Sequence, residues 1–134
     1  MAISRLTRGW IVVAGLSGAT AVVMGAWAAH GLANTLPADK VALVQLASQY
    51  QLWHTLALLA VALWGAHYPA RGWTRTAALF VAGMLLFCGS LYWLALAPMP
   101  GIGWLTPCGG LALIGGWLSL AVQGWRGRPL TTSS

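Results

Sequence analysis

Chemically capable side chains are few in this sequence, and most of them lie inside long apolar stretches. His30 ends the first of these stretches and His54 lies near the start of the second. Imidazole nitrogens can bind copper, zinc, iron or nickel, hold a haem from two sides, or contact a quinone headgroup. Other hydrogen-bonding side chains fall at similar predicted depths: Tyr50, Gln51, Ser90, Tyr92 and Thr106. This pattern predicts a polar pocket between helices, open toward the outer face, with His54 lining it and His30 near its rim.

Each histidine also has a plainer interpretation. His30 can be a helix-end residue, followed by Gly31 and bonded to water or to a carbonyl. His54 can form an interhelical hydrogen bond that fixes the register of two helices. A metal or haem site would lack the carboxylate that usually orients a ligating histidine, because the chain's only acidic residue is Asp39. We therefore predict no metal ligands and no resident cofactor, and we expect His67 to be an inner-interface residue.

Catalytic constellations are hard to assemble from these residues. Paired-carboxylate chemistry is impossible with a single acidic side chain, and a Ser-His-Asp triad would need Asp39 to reach an embedded site. We expect Cys88 and Cys108 to fill apolar space, since their predicted depths barely allow a disulfide between them. The sequence therefore predicts a protein that is not an enzyme.

The elements that position these residues follow from composition. Charged residues are only 6% of the 134 residues and 59% are apolar, whereas a soluble domain has about 25% charged residues. Three ranges carry no Asp, Glu, Lys or Arg: 9–38, 41–70 and 76–125. Each can hold at least one membrane span of about 20 residues. This composition excludes a soluble enzyme, a disordered chain and a secreted disulfide scaffold.

The apolar segments predict an all-α, polytopic membrane protein with one transmembrane domain over residues 1–134. Four helices are expected to form a compact bundle, with spans at about 10–29, 50–66, 76–97 and 104–125. Prolines and glycines at 97–103 separate the last two spans. Residues 37–49 are predicted to be an amphipathic segment at the outer interface, continuous with the second span or bent from it. Residues 127–134 are expected to fray.

Arginines predict the orientation of these spans. They form three pairs beside predicted spans: Arg5 and Arg8, Arg71 and Arg75, and Arg126 and Arg128. All six lie on one side of the membrane if both termini are cytoplasmic, as basic residues prefer. Separate pairs beside spans argue against a nucleic-acid surface, so the lipid bilayer is the expected partner. The first apolar run is longer than a signal-peptide core, and we expect it to stay uncleaved.

Small residues recur along two of the predicted helices at alternating spacings of three and four. The first seam is Ala14, Gly18, Ala21 and Gly25, and the second is Gly109, Ala112 and Gly116. A seven-residue repeat of this kind favours close, left-handed packing of one helix against another. The alternative is that glycine and alanine are simply common in membrane helices.

Four motifs in order resemble one family of small membrane proteins. They are GAWAAHGL at 25–32, YQLWHTLALL at 50–59, GMLLFCGSLY at 83–92, and TPCGG at 106–110 followed by Gly116-Trp117. The family is "domain of unknown function 423", which includes eukaryotic transmembrane protein 256. The resemblance implies a four-span protein, usually in the bacterial inner membrane, and implies no activity. Cys88 and Cys108 depart from the family pattern, so a metal site on either cysteine would not be a family property.

Two functions are compatible with the sequence. We expect an integral membrane protein that packs against a membrane-protein partner, a second copy of itself or lipid. The alternative is an outer-leaflet redox protein that binds metal, haem or quinone through His30 and His54. A Soret band or bound metal in the purified protein would favour the alternative.

Overall fold

The computed structural model describes residues 3–68, 72–97 and 101–127. These residues form four α-helices, α1 (Arg5–His30), α2 (Ala38–His67), α3 (Trp73–Leu96) and α4 (Leu105–Arg126), and a 3₁₀ turn over Leu32–Asn34. No strand occurs in the described ranges. The prediction of an all-α fold is confirmed, and each predicted apolar segment lies almost entirely within one helix.

Local chemistry explains where several helices begin and end. The Ser4 side chain accepts a hydrogen bond from the Thr7 amide and so caps the start of α1. Pro37 precedes α2, where its missing N–H is not needed. Gly101 has a φ of +104° in the turn before α4, a conformation that favours glycine. The predicted breakers Pro98 and Pro100 lie outside the described residues.

α2 and α3 form the centre of the bundle, and α1 and α4 flank them. α1 packs along α2, α2 along α3, and α3 along α4. α1 also reaches α3 through Ser17 and Met84, while α4 reaches α2 through Trp117 and His54. The largest apolar cluster includes the fully buried Phe80 of α3. Two lateral grooves remain: one between α1 and α3, and one between the end of α2, the start of α3 and the end of α4.

Contacts between α1 and α2 fix the relative heights of their residues. Gly18 faces the Thr55 side chain, and Gly25 faces Ser48 seven residues earlier on α2. The two helices are therefore antiparallel, and a residue's height on one can be read from the other. Near the C-terminal end of α1, Ala28 packs in one cluster with Val44 of α2.

The segment 37–49 is not a separate interfacial helix. α2 runs without interruption from Ala38 to His67. Val41 and Val44 are buried in a cluster with Ala28 and Ala95, so this part of α2 packs between α1 and α3. Of the two alternatives left open by the sequence, the segment is continuous with the span, and its last residues lie alongside the end of the predicted span of α1.

Both small-residue seams face neighbouring helices. Ala14 and Ala21 of α1 are buried, while Ala112 of α4 is half-buried. A methyl group on Gly109 would overlap the backbone of Phe87 on α3. Glycine at such a position allows two helix backbones to approach closely.

Three helices are long and apolar enough to cross a membrane: α1 continued to Asn34, α3 and α4. This result concerns the part of the chain that the structure describes. α2 has 30 residues but is less apolar, because Tyr50, Gln51 and His54 lie near its middle. Length and composition thus support three of the four predicted spans.

The two ends of the bundle differ in charge. Arg5 and Arg8 begin α1, Arg75 lies in the first turn of α3, and Arg126 ends α4. The antiparallel packing brings these four residues to one end, while Asp39 begins α2 at the other. Arg71, Arg128 and the predicted frayed tail beyond residue 127 lie outside the described residues.

Candidate functional site

Gln51 joins three helices through a polar cluster on one side of the bundle. Its Nε2 donates to Thr20 Oγ1 at 2.7 Å and to the Ser17 carbonyl oxygen at 3.0 Å, both on α1. The Tyr92 hydroxyl of α3 donates to Gln51 Oε1 at 2.7 Å. Both the nitrogen and the oxygen of the Gln51 side-chain amide therefore form hydrogen bonds. Through them this residue of α2 connects α1 to α3.

The same cluster continues toward the middle of the bundle through two hydroxyls. Ser17 Oγ and Thr55 Oγ1 lie 2.7 Å apart. The Met84 sulfur lies 3.7 Å from the Thr55 hydroxyl and 3.8 Å from the Ser17 hydroxyl. Polar groups in an apolar region require such partners, and these hydroxyls find theirs on neighbouring helices.

A lateral groove between α1 and α3 is lined in part by this cluster, and we call it the α1–α3 groove. It encloses about 360 Å³, and its polar groups come from Ser17, Thr20, Gln51 and Tyr92. Its walls are apolar, and they include Leu16 of α1 and Leu85 of α3. Leu85 is 71% exposed, so the groove opens sideways toward the surroundings of the bundle. Its volume falls in the range of about 300–1,000 Å³ that is typical of small-molecule sites.

His54 lies on the other side of α2, toward α3 and α4. Its Nδ1 is 2.7 Å from the Tyr50 carbonyl oxygen, and Trp117 Nε1 donates to its Nε2 at 3.1 Å. A carbonyl only accepts and an indole N–H only donates, so the proton of the neutral ring is on Nδ1. The ring is buried and contacts the ring of Phe80. His54 thus forms an interhelical hydrogen bond between α2 and α4, as its plainer interpretation expected.

This arrangement leaves His54 little capacity to bind a metal. The Nε2 lone pair that would ligate a metal accepts the Trp117 N–H instead. Within residues 3–68, 72–97 and 101–127, no three His, Cys, Asp or Glu side chains gather as a possible metal site. Cys88 is buried, Cys108 is exposed, and both are free thiols.

His30 lies far from His54. Since Gly18 faces Thr55, His54 is at the height of Ala19, and His30 lies eleven residues further along α1. At 1.5 Å per residue this separates them by about 16 Å along the helix axis. His30 is exposed, on the same side of α1 as the exposed Trp27. The structure therefore does not bring the two histidines into one pocket.

The predicted and observed depths of His54 differ because the predicted second span begins too late along the chain. The sequence placed its outer end near Tyr50, where the apolar run starts, so His54 fell only one turn inside. In the structure α2 starts at Ala38, and its first turns pack beside the end of α1. His54 therefore lies near the middle of the bundle.

The remaining predicted site residues belong to the interface between α3 and α4. Ser90 Oγ and Thr106 Oγ1 lie 2.6 Å apart, and Ser90 also donates to the Phe87 carbonyl oxygen. Near the opposite end of this interface, Thr76 Oγ1 lies 2.7 Å from Ser119 Oγ. The predicted polar set is thus divided among four places: Gln51 with Tyr92, His54 with Tyr50, Ser90 with Thr106, and His30 by itself at the end of α1.

Four residues of these hydrogen-bonded clusters were not identified from the sequence. Ser17 and Thr20 lie one turn apart on α1, Thr55 lies four residues after Gln51, and Trp117 lies deep within α4. Polar side chains at helical spacing in an apolar segment are the signal that would have identified the first three. For Trp117 the sequence gives no comparable signal, and only its hydrogen bond to His54 identifies its role.

Comparisons with known proteins agree with this architecture. A family model described as "Protein of unknown function (DUF423)" matches residues 24–110. A UPF0382 membrane protein of Haemophilus influenzae is 38% identical over 121 residues, which cover 90% of this chain and 97% of that protein. The UPF0382 inner membrane protein YgdD of Escherichia coli (strain K12) is 35% identical over 117 residues, covering 87% of this chain and 88% of that protein.

A third relative comes from a different bacterial group. The UPF0382 membrane protein YwdK of Bacillus subtilis is 34% identical over 114 residues, which cover 84% of this chain and 93% of that protein. No solved structure matches the chain. The chain belongs to the DUF423 family and is a multi-pass protein of the bacterial inner membrane, as the sequence motifs predicted. Neither the family description nor these names indicate a catalytic activity.

Proposed function

We propose that this member of the DUF423 family is a four-span, non-catalytic membrane protein that packs against a membrane-protein partner or lipid through its α1–α3 groove. The observation that carries the proposal is that the polar side chains beside the groove form hydrogen bonds with one another. Gln51, Tyr92 and Thr20 are engaged around the groove. Among the residues that the structure describes, no His, Asp, Glu or Lys lines the groove, so these residues place no general base beside its hydroxyls.

A membrane-spanning α2 is supported by the distribution of its side chains. Between Leu52 and Trp64 the exposed residues are all apolar: Leu52, Trp53, Leu56, Ala60, Leu63 and Trp64. The polar residues of the same stretch, His54 and Thr55, are buried. Average hydropathy counts both faces equally, so it underestimates how apolar the exposed face of α2 is.

The charge at the two ends of the bundle supports an orientation with both termini in the cytoplasm. Arg5, Arg8, Arg75 and Arg126 share one end, and basic residues concentrate on the cytoplasmic side of membrane proteins. The groove residues Gln51 and Tyr92 then lie in the half of the bundle nearer the outer face.

Site-specific photo-crosslinking in cells tests whether the groove is the contact surface. The photoreactive residue replaces Leu85, which lines the groove and is 71% exposed. Leu111 on α4 is the matched control, because it is 68% exposed and does not line the groove. Its height matches that of Leu85, since Gly83 faces Leu113 across this interface.

We expect the photoreactive residue at position 85 to give a discrete adduct, either with a protein or with one lipid species. The yield of this adduct should be at least several-fold lower from position 111. An adduct of twice the chain's mass would identify the partner as a second copy. Equal yields of the same bulk-lipid adducts from both positions would refute the groove as a contact surface.

A further inference from the structure

A second groove lies at the arginine-rich end of the bundle, between the end of α2, the start of α3 and the end of α4. It encloses about 1060 Å³, and Arg75 and Arg126 both line it. We propose that this groove binds one anionic phospholipid, with the phosphate at the two arginines and an acyl chain along α4. This site is separate from the α1–α3 groove and does not depend on the function proposed there.

The charge at this groove is positive, and no acidic side chain of the described residues lies beside it. Arg75 and Arg126 are exposed and come from different helices. Asp39, the only acidic side chain in the sequence, begins α2 at the opposite end of the bundle. Gly72 precedes α3 and has no side chain to cap its first amides, so these N–H groups add to the positive potential.

The shape of the groove favours a lipid over a soluble anion. Leu118 and Val122 continue the groove along α4 from the arginine-bearing end toward the middle of the bundle. Leu118 is 62% exposed, so an apolar surface is open beside the charge. A free phosphate would leave that surface uncovered, whereas an acyl chain would cover it.

The depth of the groove also matches a lipid headgroup. Trp64, Tyr68 and Trp73 line it together with the arginines. Tryptophan and tyrosine concentrate at the level of the headgroups, where basic residues attract anionic lipids. At this depth the protein is surrounded by lipid, so the bilayer itself supplies the molecule that would occupy the groove.

Lipid titration followed by native mass spectrometry tests the site with the full-length chain in a neutral detergent. The probes are dioleoyl phosphatidylglycerol and dioleoyl phosphatidylcholine, which share acyl chains and differ in charge. The test variant is Arg75→Gln with Arg126→Gln. The control variant is Arg5→Gln with Arg8→Gln, which loses the same two charges at the same end but lies outside the groove.

We expect the unaltered chain to retain one phosphatidylglycerol in preference to phosphatidylcholine. The variant at Arg75 and Arg126 should bind it about thirtyfold more weakly, because the two arginines contribute about 1 kcal/mol each near the membrane surface and 1.4 kcal/mol is a factor of ten. The control variant should keep the preference. Equal losses in both variants would show that only diffuse charge acts, and no preference in the unaltered chain would refute the site.

Two further measurements separate a lipid from its headgroup alone. Leu118→Trp fills the apolar part of the groove without changing its charge, and we expect it to weaken phosphatidylglycerol binding several-fold. Inorganic phosphate in millimolar excess should leave the bound lipid in place. Displacement by phosphate, with no effect of Leu118→Trp, would show a simple anion site and overturn the proposal. Thermal melting confirms that each variant is folded.

Discussion

Replacing Trp117 with phenylalanine removes the hydrogen bond between α4 and α2 while keeping an aromatic ring. Trp117 Nε1 donates to His54 Nε2 at 3.1 Å, and the His54 ring is 6% exposed. Hydrogen bonds between membrane helices contribute about 0.6 kcal/mol on average and up to about 1.7. A buried acceptor left without a partner costs about 1–3 kcal/mol. We therefore expect Trp117→Phe to destabilise the fold by about 1–2 kcal/mol.

Trp10→Phe is the matched control, because it removes the same atoms without removing a hydrogen bond. In the described part of the chain, the buried Trp10 indole N–H has no hydrogen-bond partner. Loss of a buried unpaired donor breaks no hydrogen bond and relieves a desolvation cost, so we expect Trp10→Phe to lower the stability by no more than about 0.5 kcal/mol. The difference between the two variants isolates the contribution of the Trp117 N–H.

The assay is unfolding of the purified chain by rising mole fraction of sodium dodecyl sulfate in mixed micelles. His54→Leu and the double variant His54→Leu with Trp117→Phe complete a thermodynamic cycle. We expect a coupling energy of about 1 kcal/mol between the two positions. Equal destabilisation by Trp117→Phe and Trp10→Phe, together with a coupling energy near zero, would refute the hydrogen bond.

Three other predictions follow from packing and charge. Gly109→Ala should lower the free energy of unfolding by about 2–4 kcal/mol, because its methyl group would overlap the backbone of Phe87, whereas Gly110→Ala meets only ordinary contacts and should be neutral or slightly stabilising. Gly25→Leu should cost about 1–3 kcal/mol, because Gly25 faces α2; an unchanged melting temperature would show that α2 yields there. A reporter fused after Ser134 should be active in the cytoplasm, and periplasmic activity would reverse the proposed orientation.

The helices were predictable because the length of an apolar segment is sufficient to indicate a span. The unbroken course of α2 also follows from sequence, since no helix breaker occurs between Pro37 and Gly65. Family membership was predictable from motifs such as GAWAAHGL at 25–32. These features are local, so they need no knowledge of how the helices pack.

The grouping of the site residues was not predictable, because it depends on helix heights and rotations. Ser90 and Tyr92 are two residues apart on α3, so they point to different neighbours, Thr106 on α4 and Gln51 on α2. His54 was placed too near the outer face because depth was counted from the start of an apolar run. Pairwise contacts such as that of Gly18 with Thr55 set the true height.

The two-faced character of α2 has a consequence for biosynthesis. As α2 emerges from the ribosome, Gln51 and the Nε2 atom of His54 lack the partners that other helices supply, and a solitary helix would expose them to hydrocarbon. Ser17 and Thr20 on α1 are made earlier and accept from Gln51 Nε2, whereas Tyr92 on α3, which donates to Gln51 Oε1, is made later and Trp117 on α4 is made last. We expect α1 to remain beside the insertion machinery until α2 joins it, and His54 to stay unsatisfied until synthesis is nearly complete. The order of synthesis then makes α4 the helix that completes the interior.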